Sequence, residues 1–342
     1  MATISDVANM AGVSIATVSR AFSEPDMVSP STRKRIHDAA DTLKYRPNAI
    51  ARAMVTKRTG NLAFIIYSKQ APAIMNPFYG AVLESVVSAA TKEGYGMFIA
   101  TDTELNTAAG KLMLQKQVDG IIFSSKPDYE ILSSAKANNT PVVLINHEPD
   151  MPKTHCLLSD DYGGIRIAVR HLAELGHEKI GFVSGTFTDF IRTRRYHGFL
   201  QALGELGLRF VPEWFIECEP AIEVATKAVI KILSLIDRPT ALVCANDTLA
   251  VGAVKGAQRL GFSVPEDISV TGFDDSVLCT VCEPELTSIR IDKDKMGKLA
   301  VECLMSQISG VTQTNYVRTL TATLALRSSS AKVRNLNGGS HE

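Results

Sequence analysis

The 342-residue sequence has no apolar run long enough to span a membrane. Its N-terminus also lacks the charged region followed by an apolar region that marks a secretory signal. Its six cysteines are scattered and form no dense framework, so a disulfide scaffold is excluded and reduced thiols are expected. Together these absences predict a cytoplasmic protein without a membrane segment.

Metal chemistry has little support in the sequence. Cys279 and Cys282 form a C-x-x-C, but no second pair or nearby histidine pair completes the four ligands of a zinc site. Glu283 and Pro284 follow where a thioredoxin-like pair would open a helix. The two cysteines are therefore interpreted as ordinary thiols, and neither a metal site nor a cofactor is expected.

Common catalytic motifs are missing as well. The chain contains no G-x-G-x-x-G, P-loop, G-x-S-x-G or H-E-x-x-H pattern. Its carboxylates are better explained as hydrogen-bond acceptors than as an acid/base pair. We therefore do not expect an enzyme.

The sequence has no net charge, since Lys+Arg and Asp+Glu both number 36. The distribution is uneven, because residues 1–60 hold nine cations against five acids. A basic N-terminal part on a mildly acidic body fits a polyanion-binding module joined to a domain with another task.

The basic part begins with two short helical patterns, between Thr3 and Phe22. Thr3 can cap the first helix, Gly12 can end it in the left-handed conformation, and Ser14 can cap the second at once. This spacing is that of a helix-turn-helix, although a plain helical hairpin would look similar. Ile15, Ala16, Ser19 and Arg20 share the outward face of the second helix.

A third helix and a short linker complete this region. Ser29 and Pro30 open a helix whose apolar residues share one face with the first two. The helix-forming segment 48–54 lies beyond Pro47 and is too short to be stable alone, so it should fold only when something stabilises it. We expect a helix-turn-helix domain at 1–46 and a hinge helix with linker at 47–60.

From Leu62 onwards, short apolar runs alternate with amphipathic helical stretches. Continuous apolar strands separated by helices predict parallel sheets covered on both faces, here in two units of similar size. Ligands bind at the carboxyl ends of such strands. The polar residues at those ends are Tyr67, Ser68, Asn146, Ser184, Asn246, Asp247, Asp274 and Asp275. Helix capping is the alternative role for Asn246 and Asp247.

Motifs along nearly the whole chain resemble the LacI/GalR family of bacterial transcription regulators. They are T-I-x-D-V-A-x-x-A-G-V-S-x-x-T-V-S-R at 3–20, V-S-x-x-T-R at 28–33, Y-x-P-N-x-x-A-R at 45–52, N-P-F-Y at 76–79, V-D-G at 118–120, H-L-x-x-x-G-H at 171–177, R-x-x-G-F at 195–199, P-T-A-x-x-C-A-N-D at 239–247 and V-P-E-D-I-S-V-T-G-F-D-D at 264–275. The resemblance implies a small all-α helix-turn-helix headpiece, a hinge helix that folds on DNA, and a bilobal α/β body similar to periplasmic sugar-binding proteins.

The resemblance also implies lobe boundaries. The effector-binding and dimerisation domain would span 61–330, with lobe 1 at about 61–160 and 290–316 and lobe 2 at about 161–289 and 317–330. Residues 331–342 are polar, lack the family's tetramer-forming heptads, and are expected to be a disordered tail. A homodimer on a palindromic double-stranded operator follows.

The family's DNA contacts transfer to particular positions. Base contacts fall on Ile15, Ala16 and Arg20; phosphate contacts fall on Ser14, Thr17, Ser19, Thr32, Tyr45 and Asn48; the minor-groove hinge falls on Ala51 and Met54. Ile15 and Ala16 cannot hydrogen-bond a base edge, which leaves apolar contact with thymine methyls. Met54 stands where the family usually has a leucine that wedges between base pairs.

Effector positions fall on Phe78, Asn146, Arg195, Asn246 and Asp274. The expected function is a DNA-binding repressor controlled by a small metabolite, with a sugar or sugar derivative as the first expectation and a purine or nucleoside as the alternative. A sugar-binding protein without a regulatory role is the alternative class. The basic headpiece argues against it, because such a protein does not need a polyanion-binding module.

Overall fold

The computed structural model describes residues 2–23, 25–46, 58–66, 76–105, 107, 110, 117–124, 127–148, 154–186, 189–311 and 316–334. The chain forms two separate compact units, Met1–Gly60 and Asn61–Glu342. Each unit is described by itself below.

The first unit is helical. Its helices are α1 (Ile4–Ala11), α2 (Ile15–Ser23) and α3 (Pro30–Thr42), with a 3-10 turn at Pro25–Met27. Thr3 and Asp6 form a capping box at the start of α1, and Gly12 ends this helix with φ of +64°. These local signals therefore set both ends of α1.

A small apolar core holds the three helices together. Val7, Val18 and Ile36 are fully buried, one from each helix. Phe22 packs edge-on against His37 with ring centres 5.1 Å apart. The face of α2 that carries Val18 is therefore inward, and the opposite face is left to solvent.

The second unit is built on two sheets. Its strands are β1 (Asn61–Ile66), β2 (Gly96–Thr101), β3 (Gly120–Phe123), β4 (Val142–Ile145), β5 (His155–Ser159), β6 (Ile180–Gly185), β7 (Phe215–Cys218), β8 (Ala241–Cys244), β9 (Ser269–Asp274), β10 (Thr287–Arg290), β11 (Tyr316–Leu320) and β12 (Thr323–Ala325). Among the described residues the strand orders are β11-β5-β4-β3-β1-β2 and β12-β10-β9-β8-β6-β7. The strand pairs are parallel except for β10 and β12, which run antiparallel.

Helices cover both faces of each sheet, as continuous apolar strands require. They are α4 (Pro77–Lys92), α5 (Asp102–Leu105), α6 (Tyr129–Ala137), α7 (Asp161–Glu174), α8 (Asp189–Glu205), α9 (Ile222–Leu233), α10 (Asp247–Arg259), α11 (Leu278–Val281) and α12 (Lys293–Ile308). The pairs α4 with α12, α7 with α8, and α9 with α10 pack side by side. The predicted headpiece with a bilobal parallel-sheet body is confirmed.

The chain passes between the lobes at three places among the described residues. These are Asp160–Asp161 between β5 and α7, Ile291–Asp292 between β10 and α12, and Thr321–Ala322 between β11 and β12. The sequence-based boundary that assigned 317–330 to lobe 2 is corrected, because Tyr316–Leu320 pairs in register with β5 of lobe 1. The apolar pattern of 317–325 cannot show that a strand of one sheet ends within this segment and that a strand of the other sheet begins there.

Residues 331–334, the start of the predicted disordered tail, make defined hydrogen bonds, and residues 335–342 lie outside the described residues. The Val333 N–H donates to the Leu175 carbonyl over 3.0 Å, and the Ala331 N–H donates to the Ser269 hydroxyl over 3.1 Å. His177 contacts the Ala331 carbonyl. Residues 331–334 are therefore part of lobe 2, since these partners satisfy a backbone that looks featureless in sequence.

In the part of the chain that the structure describes, no helix combines the length and the apolarity needed to cross a membrane.

Candidate functional site

The outward face of α2 carries the side chains predicted to contact bases. Ile15, Ala16 and Arg20 are all exposed, and Ile15 has half of its surface open to solvent. An exposed aliphatic side chain at the start of a helix can contact an apolar surface such as a thymine methyl. Arg20 is the residue of this face that can hydrogen-bond a guanine bidentately.

The hydroxyl groups near this face are organised by helix capping. Ser14 caps α2 by accepting the Thr17 N–H over 3.1 Å, and the two side-chain oxygens lie 2.8 Å apart. Ser29 caps α3 and donates to the Thr32 hydroxyl over 2.9 Å. The phosphate roles of Ser14, Thr17 and Thr32 stay predictions, which their position at helix N-termini favours because such termini attract phosphate.

The remaining predicted DNA contacts divide into two groups. Ser19 is exposed on α2, and Tyr45 is half-buried beside Phe22, with ring centres 6.2 Å apart. Asn48, Ala51 and Met54 lie outside the described residues, as do the strand-end residues Tyr67 and Ser68.

Replacing Arg20 with alanine is expected to weaken operator binding by about 1–3 kcal/mol and to relax base preference at one position per half-site. The measurement is fluorescence anisotropy against operators that vary one base pair at a time. The control is Arg35→Ala on α3, which removes an exposed cation away from α2 and should weaken all sequences alike. An equal loss on every sequence for Arg20→Ala would contradict base reading.

In the body, Arg195 lies at the centre of a buried charged cluster. This side chain on α8 is 5% exposed. Its Nε donates to Oδ1 of Asp161 over 2.8 Å, and a terminal N–H donates to the Ala245 carbonyl. Its Nη2 lies 3.7 Å from Oδ1 of Asp274, and the guanidinium stacks 3.9 Å above the Phe273 ring centre. Arg195 is thus fixed on several sides at the carboxyl ends of β8 and β9.

The Asp274 carboxyl is unusual in both backbone and ionisation. Its φ is +105°, which is rare for a residue with a side chain. Burial raises the pKa of Asp274 to about 7; Arg195 lowers it and Asp247 raises it further. A carboxyl with this pKa can accept a hydrogen bond when ionised or donate one when protonated.

The two asparagines predicted to bind effector have their amide oxygens engaged by the backbone. Oδ1 of Asn146 accepts the Ser159 N–H over 2.8 Å, and Oδ1 of Asn246 accepts the Leu249 N–H over 2.9 Å at the start of α10. Their amide NH₂ groups remain the parts that can meet a ligand. Asp247 does not cap this helix: its carboxylate accepts the Ser276 N–H and the Ser288 hydroxyl, over 2.7 and 2.6 Å.

Aromatic side chains from lobe 1 lie on the side of the cleft opposite Arg195. Phe78 and Tyr79 begin α4 and pack edge-on with ring centres 5.0 Å apart. The pKa of Arg195 is raised: burial lowers it, but Asp161, Asp274 and, to a lesser degree, Tyr79 raise it. Tyr79 of lobe 1 and Arg195 of lobe 2 are therefore near neighbours across the cleft.

A second aromatic contact joins the lobes. His147 follows β4 in lobe 1 and meets Phe190 of α8 in lobe 2, with ring centres 5.7 Å apart and the rings nearly perpendicular. The Arg194 guanidinium lies 5.3 Å from the Phe190 ring centre. The cleft therefore combines a buried ion pair with aromatic rings from both lobes.

Sequence reasoning missed several residues of this cluster. Asp161 and Lys293 are not singled out by the sequence, whereas Asp247 is predicted at the strand ends, with helix capping as its alternative role. Tyr79 and Asp247 both fall inside motifs quoted above, at 76–79 and 239–247, so the motifs contained a signal for them. Asp161 and Lys293 had no comparable signal, because their partners are distant in sequence.

A helix-turn-helix domain joined in one chain to a bilobal parallel-sheet body defines the class of DNA-binding transcription regulators. Comparison with known families agrees. Residues 3–48 match the model of bacterial regulatory proteins of the lacI family, and residues 169–330 match a periplasmic binding protein-like domain. The chain belongs to the lacI family and is a DNA-binding transcriptional repressor, not an enzyme.

Relatives and solved structures extend this result. The HTH-type transcriptional repressor PurR of Aliivibrio salmonicida is 35% identical over 313 residues, covering 90% of this chain and 92% of PurR. PurR of Photobacterium profundum is 32% identical, covering 98% and 100%. The regulator CelR in complex with cellobiose has a TM-score of 0.72 at 26% identity, covering 96% and 100%. The lac repressor dimer bound to operator and an anti-inducer has a TM-score of 0.82 at 24% identity, covering 96% and 99%, and shows the shared fold.

Proposed function

We propose that this repressor binds a purine base or nucleoside in the cleft between its lobes and that this ligand controls its affinity for a palindromic operator. Two kinds of support converge on the purine. The relatives at 32–35% identity carry the name of a purine repressor, and a purine suits the cleft better than the sugar that was first expected. A homodimer is proposed as the DNA-binding form, since a palindrome offers one half-site to each protomer.

The observation that carries this proposal is the pairing of Asp274 with Arg195, 3.7 Å apart in one wall of the cleft. A purine edge offers ring N–H groups next to carbonyl or ring-nitrogen acceptors, so a carboxylate beside a guanidinium matches it with complementary polarity. Rings from the opposite lobe, Phe78 and Tyr79, supply flat apolar surface for a flat ligand. A purine would therefore use both the charges and the rings.

A sugar remains the second candidate, and one observation favours it. Asp274, Arg195 and the amide of Asn246 also form a set that can bind vicinal hydroxyls, and the structurally similar CelR holds cellobiose. A sugar would use the polar groups but would leave the edge-on pair Phe78 and Tyr79 without a planar partner. The two ligand classes therefore differ in their dependence on the aromatic side chains.

The control mechanism proposed is coupling between cleft closure and the hinge. Closing the cleft would change the separation of the two 47–60 segments in the dimer and so the fraction able to fold into the minor groove. A ligand can only shift this equilibrium by its difference in affinity for the two lobe arrangements.

The test is a thermal-shift panel on the full chain with guanine, hypoxanthine, adenine, guanosine, ribose, galactose and cellobiose. A ligand present at 100 times its Kd contributes about 2.7 kcal/mol, which is a rise in Tm of several degrees. We expect the rise with at least one purine and none with the sugars. A rise with a sugar alone would contradict the purine proposal.

Asp274→Asn and Tyr79→Leu give the matched follow-up. Asp274→Asn should abolish the shift, and Tyr79→Leu should reduce it for a purine more than for a sugar. Anisotropy on operator DNA without ligand serves as the control, because both residues belong to the second unit and α2 belongs to the first.

A further inference from the structure

Lys293 makes an unusual set of contacts for a lysine at the first turn of a helix. It is the first residue of α12, and its ammonium donates to the carbonyls of Asp274, Asp275 and Ile291. The last two distances are 3.1 and 3.4 Å. An ammonium has three N–H donors, so these contacts use its full capacity.

The first two carbonyls belong to a turn that is costly to form. Asp274 and Asp275 both have positive φ, +105° and +48°. Such conformations for residues with side chains cost on the order of 1–3 kcal/mol each and persist only where the surroundings hold them. A cation facing both carbonyls favours the backbone arrangement that aims the Asp274 side chain at Arg195.

Lys293 follows the passage Ile291–Asp292 and belongs to lobe 1, whereas the turn that it contacts belongs to lobe 2. The turn ends β9 of lobe 2, while α12 packs against α4 and against β3, β4 and β5 of lobe 1. The third partner, Ile291, lies in the passage itself. The ammonium therefore contacts the Asp274 turn and the passage, while the backbone of Lys293 belongs to the lobe 1 helix α12.

Few charged groups face Asp274, and Lys293 is one of them. They are Arg195 on α8, Asp247 on α10, Asp161 on α7 and Lys293 on α12. Arg195 is already held by Asp161, and Asp247 by Ser276 and Ser288. Lys293 is thus the member of this set that comes from a lobe 1 helix.

We propose that Lys293 is a positioning residue that holds the Asp274 carboxylate toward the cleft and transmits the occupation of Asp274 by ligand to α12 of lobe 1. The inference rests on the ligand site proposed above and adds the route by which that site reaches the other lobe. Ligand bound to Asp274 pulls on a turn whose backbone is held by a lobe 1 side chain, so turn and helix move together.

The experiment compares Lys293→Met, which keeps length and removes the charge, with Lys293→Arg, which keeps the charge. Lys295→Met is the matched control, because Lys295 is an exposed cation on the same helical turn. The first readout needs no ligand: the Asp274 carboxyl is titrated by carbon-13 NMR on aspartate-labelled protein and assigned by Asp274→Asn. We expect Lys293→Met to raise the midpoint by about half a pH unit or more, Lys293→Arg to restore it, and Lys295→Met to leave it unchanged.

The second readout uses guanine as the probe, with calorimetry and with operator anisotropy in its presence and absence. We expect Lys293→Met to weaken guanine binding about tenfold and to bring the operator affinities with and without guanine toward equality, with recovery in Lys293→Arg. If Lys293→Met fails to fold, Lys293→Gln takes its place, since the amide keeps one donor. Were the wild-type protein to bind none of the purines of the thermal-shift panel, the purine assignment would be wrong, while the NMR titration would still decide the role of Lys293. The inference is overturned if Lys293→Met and Lys295→Met give the same midpoint.

Discussion

Replacement of Asp161 by alanine is expected to lower the free energy of unfolding of the body by about 3–5 kcal/mol. Asp161 is fully buried, and its Oδ1 accepts the Nε–H of the buried Arg195 and lies 2.8 Å from Nη2 of the same guanidinium. Removing the carboxylate leaves a guanidinium without its main counter-charge, in a place where it cannot take up water. The penalty for an uncompensated buried charge is larger than the net value of the pair itself.

Urea unfolding of the full chain, followed by circular dichroism, measures this effect on the transition of the larger unit. Asp160→Ala is the matched control one residue earlier, because Asp160 caps α7 through the Gly163 N–H at 2.9 Å. Loss of such a cap costs about 1 kcal/mol. Equal losses in the two variants would show that Asp161 does not stabilise Arg195 in the way its geometry indicates.

The second large effect is a pH-dependent gain from Asp274→Asn. The folded-state pKa of Asp274 is raised to about 7, chiefly by burial, whereas the ordinary value is near 3.8. The folded state therefore holds a proton that the unfolded state releases. The contribution of Asp274 to the free energy of unfolding is present at low pH and is lost as pH rises from about 4 to about 7. The amide has no charge to bury, so the variant should be more stable than wild type by on the order of 2 kcal/mol at pH 8 and about equal near pH 4.

The neighbouring residue Asp275 has a pKa shift in the opposite direction, so Asp275→Asn should have the opposite effect. Although burial raises the pKa of Asp275, Arg290 and Arg327 lower it more, and the net shift is downward. Its carboxylate pairs with these arginines at 2.5 and 2.6 Å. Its stabilisation is therefore present above about pH 4 and lost as pH falls. Thermal melts across pH 2–8 should show Asp274→Asn gaining stability relative to wild type as pH rises from about 4 to about 7, and Asp275→Asn losing its deficit only below about pH 4. Variant curves that stay parallel to the wild-type curve would contradict the assigned shifts.

The proposed ligand contact at Asp274 lowers the stability of the free protein. A buried carboxyl at positive φ destabilises the free protein, and a ligand that hydrogen-bonds it removes part of that cost. Relief of this cost on binding is a source of energy that can distinguish two lobe arrangements.

Much of the fold follows from local sequence. The Thr3 cap, Gly12 and Ser14 define the two helices and the turn between them, because each supplies a backbone need that its neighbours create. The continuous apolar runs Gly120–Phe123, Val142–Ile145 and Ala241–Cys244 predict strands, and the structure shows β3, β4 and β8 with these bounds. These features depend on interactions within a few residues, or on burial that any close packing of the body would provide.

Other strands escaped sequence reading for physical reasons. The strand β5 reads His155-Cys-Leu-Leu-Ser159, and its polar ends are buried only because neighbouring strands enclose them. The strand β7 is a half-exposed edge, so its residues need not be apolar. The passage at Thr321–Ala322 is visible only when the strand partners are known.

The sequence by itself determined the helix α2, with Ile15 and Arg20 outward. It also determined the alternation of buried strands and helices that makes a bilobal α/β body. Only the tertiary structure decided which strand-end groups have their oxygens occupied, as in Asn146 and Asn246, and which form the charged cluster. Arg195 meets Asp161 across 34 positions, and Lys293 meets Asp274 across 19. Contacts over such separations arise from how strands order within a sheet and where the chain passes between lobes, and no local pattern of residues encodes them.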